Sequence, residues 1–328
     1  PAAIAVAALL AYATLIRVNG FIATVPLAVL LLPTRNRPAL SAGIAVAAGA
    51  AILGLTPIIN HRMLGSEPSD VAKTQPLFDL AAIAAATPAS PSPFTSAERL
   101  EIARRHCVKA FFWDPLGDPS GCASATRRLI GEPAWLLNSE LARQAALHPM
   151  AYAQHRFAHW NSTERWLVAP GLPDAAPPVE AEPNDLGLQT PGSPIAAAWQ
   201  DAAAAEAATP VGWPIVWTVV ALFILLPALR RRDEPAGRLA LALLGSAIAL
   251  ELSFLAISIA SDLRYHLWPM IASPLALILL SDDLRLKRHE WIAWGAVLSM
   301  TIAGGIIERD SLPPAPDSYE GMIHAVSG

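Results

Sequence analysis

"LALALLGSAIALELSFLAISIA", residues 239–260, runs into "SDLRYHLWPM", residues 261–270, and the pair decides the fold. The first stretch holds a single charge, Glu251. A helix crossing the hydrocarbon needs about 20 apolar residues, with a range of roughly 17–25. Runs of similar length occupy 39–59 and 211–229, and shorter ones occupy 267–280 and 291–307. Residues 1–32 are apolar except for "RVNG" at 17–20 and read as two short helices broken there. The pattern predicts about seven membrane helices in an all-α, polytopic membrane protein. The runs are Ala/Leu-rich and lack the alternation of a barrel strand. Composition agrees, with 54% hydrophobic and 15% charged residues. Soluble domains carry about 25% charge.

Charge sets an expected orientation, because short cytoplasmic loops are enriched in Lys and Arg. "TRNRP" (34–38) carries two, "RRRDEPAGR" (230–238) four and "RLKRH" (285–289) three. The short gaps and the tail opposite carry Arg17, Arg264 and Arg309 only. Membrane helices are therefore expected at 1–59 and 211–307. An outer helical domain is expected at 60–168, a Pro/Ala-rich linker at 169–210 and an outer tail at 308–328. The expected location is a bacterial inner membrane, with the large loop in the periplasm. The net charge of −4 disfavours nucleic acid as a partner, since that needs a basic face. The lipid membrane is the expected surrounding. The chain opens on Pro1 inside an apolar run, without the charged n-region of a signal peptide. It is expected to be the C-terminal part of a longer membrane protein, with removal of an initiator Met as the alternative.

Within the large loop, "PLFDLAAIAAAT" reads as a helix, and "TSAERLEIARRH" begins with Thr95 and Glu98 at capping-box spacing. "NSELARQAAL" and "HPMAYAQHRFAHW" read as further helices, the second starting after Pro149, and another is expected near 195–208. Cys107 and Cys122 flank a turn-rich segment. Outside the cytoplasm thiols oxidise, so a disulfide is expected, with two buried free thiols as the alternative. Their spacing is not that of a CxxC metal site.

Several side chains invite a functional reading. Asp262, Arg264, Tyr265 and His266 form either an ordinary interfacial turn or a phosphate site, since a guanidinium fork matches phosphate oxygens. Pro269 suits the first turn of the helix that follows. Glu251 is costly in mid-membrane and is either a packing contact or part of a proton or substrate path, with Ser258 two turns on. His155 and His159 share a helix face; without an HExxH motif no metal is expected. With Asp79, and with Tyr152, Trp160 and Trp166 nearby, they are candidates for a sugar or acceptor site. Asp114, followed by Pro, reads as a turn residue. "NST" at 161–163 matches a glycosylation sequon.

"DLRYHLWPMIASPLALILL" resembles the Arg-Tyr-x-x-x-Pro start of a late helix in polytopic GT-C glycosyltransferases, the ArnT-like and protein-mannosyltransferase-like enzymes. "LAYATLIRVNGFIATVPLAVLLL" resembles their short mid-chain helix pair. The resemblance covers the membrane segments, about half of the chain. It implies transfer of a sugar from a polyprenyl-phosphate donor to an outer-surface glycan or lipid, with no other cofactor. It maps Arg264 and Tyr265, with His266 beside them, to the lipid-phosphate side of the site, and Arg17 to the same region. The family's catalytic acid lies in a first outer loop, which no segment here matches, so the base is expected upstream of residue 1. An O-antigen ligase or polymerase, a transporter or flippase, and a non-catalytic scaffold are the alternatives.

Overall fold

The computed structural model of the chain describes residues 2–16, 20–31, 38–66, 70–172, 193–316 and 318–325. Arg17, the basic residues at 35 and 37, and linker residues 173–192 lie outside the described residues. Among the described residues the chain is all-helical, with one isolated antiparallel bridge, Phe112 to Ala260. In chain order the helices are α1 (Ala2–Ile16), α2 (Gly20–Leu31), α3 (Pro38–Pro57), α4 (Val71–Ala86), α5 (Ser96–Arg104), α6 (Ala123–Ile130) and α7 (Ala134–Leu147). They continue as α8 (Pro149–Thr163), α9 (Pro194–Ala208), α10 (Pro214–Arg230), α11 (Pro235–Ile257), α12 (Leu267–Leu280), α13 (Arg288–Ser311) and α14 (Tyr319–His324).

Among the described residues, three helical stretches are long and apolar enough to cross a membrane: Ala39–Met63, Pro235–Ile257 and Arg288–Ser311. The first is α3 together with a π-helical turn at Ile58–Met63. Four shorter apolar helices, Ile4–Leu15, Gly20–Val29, Pro214–Arg230 and Leu267–Leu280, fall below that length. At about 1.5 Å per residue, a helix of about 14 residues covers roughly 21 Å of a hydrocarbon layer about 30 Å thick. Length alone therefore marks three spans rather than the expected seven.

The chain divides into two compact units. The first comprises residues 1–69, 216–254 and 266–300. Its core joins α10, α11 and α12 through small side chains: Ala221, Ala240, Ala247, Ala272 and Ala276 are buried beside Ile224, Leu244 and Leu280. Small residues let apolar helices approach closely where no hydrophobic force separates lipid from protein. The buried Ser246 hydroxyl donates to the Ala23 carbonyl (2.6 Å) and accepts from Trp268 Nε1 (2.8 Å), linking α2, α11 and α12. At the charged end, the Arg231 guanidinium is buried against Asp282 (2.6 Å) and Glu234 (2.7 Å) and also donates to the Asp283 carbonyl (3.1 Å).

The second unit comprises residues 70–215, 255–265 and 301–328. Its boundaries differ from the expected loop domain. It starts at 70 rather than 60, and it takes in 211–215, 255–260 and 301–307 from stretches read as membrane segments, together with 261–265 from the gap between two of them. At its centre lies α4, buried continuously from Pro76 to Ala84 and packed by α5, α6, α7 and α8. A helix apolar on every side is a core helix, and "PLFDLAAIA" is that sequence. The capping box forms: the Thr95 amide donates to Glu98 Oε2 (2.7 Å), and the Glu98 amide donates to Thr95 Oγ1 (3.2 Å). Cys107 and Cys122 are disulfide-bonded, with Cα atoms 5.9 Å apart. Both sit in the same core, and the bridge pins the turn-rich segment onto α4.

Candidate functional site

Arg264 and Tyr265 fall in a 3₁₀ turn, Leu263–Tyr265, directly before α12. Pro269 lies in the first turn of α12, where its missing N–H costs nothing. The Arg264 side chain is 68% exposed and pairs with Asp262 at 2.5 Å. Its guanidinium also lies over the Tyr265 ring, 5.5 Å from the centroid. Partial burial pulls the Arg264 pKa down, but Asp262 and Tyr265 together hold it above its ordinary value. Arg264 is thus an exposed cation balanced by its neighbour, which of the two expected arrangements is that of the ordinary interfacial turn. An exposed pair of this kind contributes about 0–1 kcal/mol, so an anion of higher charge can displace Asp262.

His266 does not join that turn. It is fully buried in the first unit, with Nδ1 2.7 Å from Glu251 Oε2 and its ring edge-on to Phe254. The placement of His266 at the lipid phosphate is therefore corrected: its Nδ1 is engaged by Glu251. The hydropathy pattern marked Glu251 as expensive, and His266 offsets part of that cost. Ser258 is no partner on the same face, because α11 ends at Ile257 and the Ser258 hydroxyl donates to the Ala260 carbonyl (3.0 Å).

In the second unit, Asp79, His155 and His159 do come together around Phe78, whose ring meets both imidazoles edge-on. Asp79 is fully buried in the middle of α4. Its Oδ1 accepts from His155 Nε2 (3.1 Å) and from the Arg156 guanidinium (3.2 Å). Arg156 was not anticipated from sequence, although its position next to His155 on α8 was in view. The Asp79 Oδ2 atom is buried without a hydrogen-bond partner among the described residues. His159 is fully buried and donates from Nδ1 to the Ala110 carbonyl (2.6 Å). Trp166 Nε1 donates to the Thr301 carbonyl (2.9 Å). Burial raises the Tyr152 pKa, the Asp79 charge adds to the rise, and Arg156 opposes it. The surface sugar site expected from these residues is thus corrected to a closed polar cluster: a sugar needs open hydroxyl-binding edges, and these edges face protein.

Two motifs resolve as local structure. Asn161 of the sequon donates to the Leu167 carbonyl (2.7 Å) and accepts from the Leu167 amide (2.9 Å), so its amide closes the end of α8. Asp114 opens a 3₁₀ turn and accepts from the Tyr319 hydroxyl (3.2 Å). In the first unit, α10 and α13 flank an apolar cleft lined by Val220, Phe223, Trp291, Trp294 and Leu298. No family model, curated protein or solved structure matches this chain.

Proposed function

We propose that this chain is part of a GT-C-type membrane glycosyltransferase that moves a sugar from a polyprenyl-phosphate donor to an outer-surface glycan or lipid. One observation carries the reading: an exposed arginine, Arg264, beside Tyr265, in a turn that starts a proline-containing apolar helix. Arg264 grips the lipid phosphate by exchanging Asp262 for phosphate oxygens, and Tyr265 supplies a neighbouring hydroxyl. The four shorter apolar helices join the three long ones in a bundle of about seven spans, in a bacterial inner membrane. The disulfide-bonded helical unit faces the periplasm, where thiols are oxidised. Within this chain the reading assigns phosphate binding and no catalytic base.

The test is sugar transfer from a polyprenyl-phosphate donor by the full-length protein. Arg264→Ala is expected to lower turnover about 10-fold, less than the loss of a water-excluded oxyanion donor because Arg264 is largely exposed. Arg264→Lys is expected to fall between, since Lys keeps the charge and loses the fork. Unchanged turnover in Arg264→Ala removes the assignment.

A transporter or flippase is the second reading, favoured by the buried Glu251–His266 pair. An ionisable pair within membrane helices is costly and marks proton or ion paths elsewhere. Proton-coupled uptake into liposomes that Glu251→Gln abolishes, without sugar transfer, would favour it.

A further inference from the structure

The backbone between α11 and the Arg264 turn is gripped through its carbonyl oxygens. Arg156 Nε donates to the Leu255 carbonyl (2.8 Å), and its Nη1 donates to the Ser258 carbonyl (2.9 Å). Gln75 donates to the Ala256 carbonyl. The Trp113 amide donates to the Ile259 carbonyl (2.9 Å), beside the bridge between Phe112 and Ala260. Arg165 Nη2 donates to the Ser261 carbonyl (3.1 Å). The Ser261 hydroxyl donates to the Phe111 carbonyl (2.7 Å), and Ser162 Oγ lies 3.1 Å from it.

This grip is built from expensive parts. Arg156 and Asp79 are buried, and a buried ion pair is a poor stabiliser compared with apolar packing. Arg165 adopts a left-handed backbone (φ 51°), uncommon for a residue with a side chain, which ends α8 and turns the chain. The last carbonyls of a helix that ends in water need no protein donors. Here α4, α8 and the Phe111–Trp113 segment all supply them to one strap of seven residues, 255–261. The Leu263–Tyr265 turn begins two residues beyond Ser261. Each residue of released chain adds about 3.3–3.6 Å of reach, so freeing the strap would leave Arg264 on a tether of roughly 25 Å.

We propose that Asp79, Arg156 and Arg165 are positioning residues that hold the strap 255–261 and thereby fix where Arg264 and Tyr265 are presented. That the group so presented binds phosphate rests on the reading of Arg264 given above. The positioning itself does not, and the two fail separately. Asp79 orients the Arg156 fork, Arg156 anchors the exit of α11, and Arg165 with Ser261 anchors the far end.

The experiment uses the full chain in lipid nanodiscs and two readouts. Hydrogen exchange follows the Trp113 amide and the amides of 255–265, and titration with polyprenyl monophosphate gives an apparent Kd. Arg156→Met is expected to speed exchange at Trp113 and 255–265 by at least about 10-fold, while α5 and the disulfide are unaffected. Arg156→Lys, with one prong, is expected to fall between. Ser261→Ala leaves no buried charge behind and carries the test if Arg156→Met does not fold. On the phosphate reading, Arg156→Met and Arg264→Ala both weaken binding about 10-fold, and only Arg156→Met changes exchange. Exchange within twofold of wild type in both Arg156→Met and Ser261→Ala overturns the positioning role. So does faster exchange with unchanged binding, if Arg264→Ala weakens binding. Faster exchange with binding unaffected by either variant leaves the positioning standing and removes the phosphate reading.

Discussion

Removing Arg156 and removing Asp79 should not cost the same, and removing both should cost less than the sum. Arg156→Met leaves the fully buried Asp79 carboxylate with His155 as its hydrogen-bond donor at Oδ1 and none at Oδ2. Breaking a buried pair from one side typically costs about 3–5 kcal/mol. Asp79→Asn leaves Arg156 still donating to the Leu255 and Ser258 carbonyls, so its guanidinium keeps two acceptors. A cost of about 1–3 kcal/mol follows, the range for one unsatisfied buried group. The double variant strands no charge and loses those two carbonyl bonds, at about 0.5–1.5 kcal/mol each. The coupling is then about 2 kcal/mol or more in favour of the pair. Native-state hydrogen exchange of the full chain in detergent measures it, read at the amides of Leu80–Ile83 in α4 and at those of α8. Costs that add within about 0.5 kcal/mol would refute the coupling, since that is how independent sites behave.

Replacing Cys107 and Cys122 by Ser should lower stability by about 3 kcal/mol, the chain-entropy value for a loop of about 15 residues. The wild-type protein should take up a maleimide only after reduction. A cysteine introduced at the exposed Ser139 of α7 should react with an impermeant thiol reagent in intact spheroplasts, and labelling only after lysis would reverse the proposed orientation. Burial raises the Glu98 pKa, but Arg128 and Thr95 more than offset this and hold it below the ordinary 4.5. A depressed carboxyl pKa gives stability that is present above 4.5 and lost as pH falls through the lower folded value. The protection of α5 amides, corrected for the intrinsic exchange rate at each pH, should therefore fall below about pH 4.5, by less than about 1 kcal/mol because Arg128 is half exposed, and Arg128→Ala should flatten the dependence.

Sequence by itself determined what depends on local pattern. Unbroken apolar length marks α3 and α11, because lipid accepts only backbones that satisfy their own hydrogen bonds, whereas α10, read at full length over 211–229, has 17 residues and α13, read as short over 291–307, has 24. Thr95 and Glu98 mark the start of α5 because the two bonds close within four residues. The cysteine pair was the only pairing the composition allowed, and the bond is present. Local pattern did not mark α6 and α14: α6 is amphipathic but only eight residues long, and α14 has only six. Tertiary structure alone decided the polar side chains. Glu251 and His266 meet across 15 positions, and Asp79 and Arg156 across 77. Nothing local to either member predicts the other, because a buried charge is satisfied by whichever donor the packing brings within about 3 Å. For the same reason the decade "SDLRYHLWPM" looked like one charged site and is two. Its first half is tied by backbone carbonyls to the helical unit that holds α4. Its second half opens an apolar helix whose histidine is committed to Glu251.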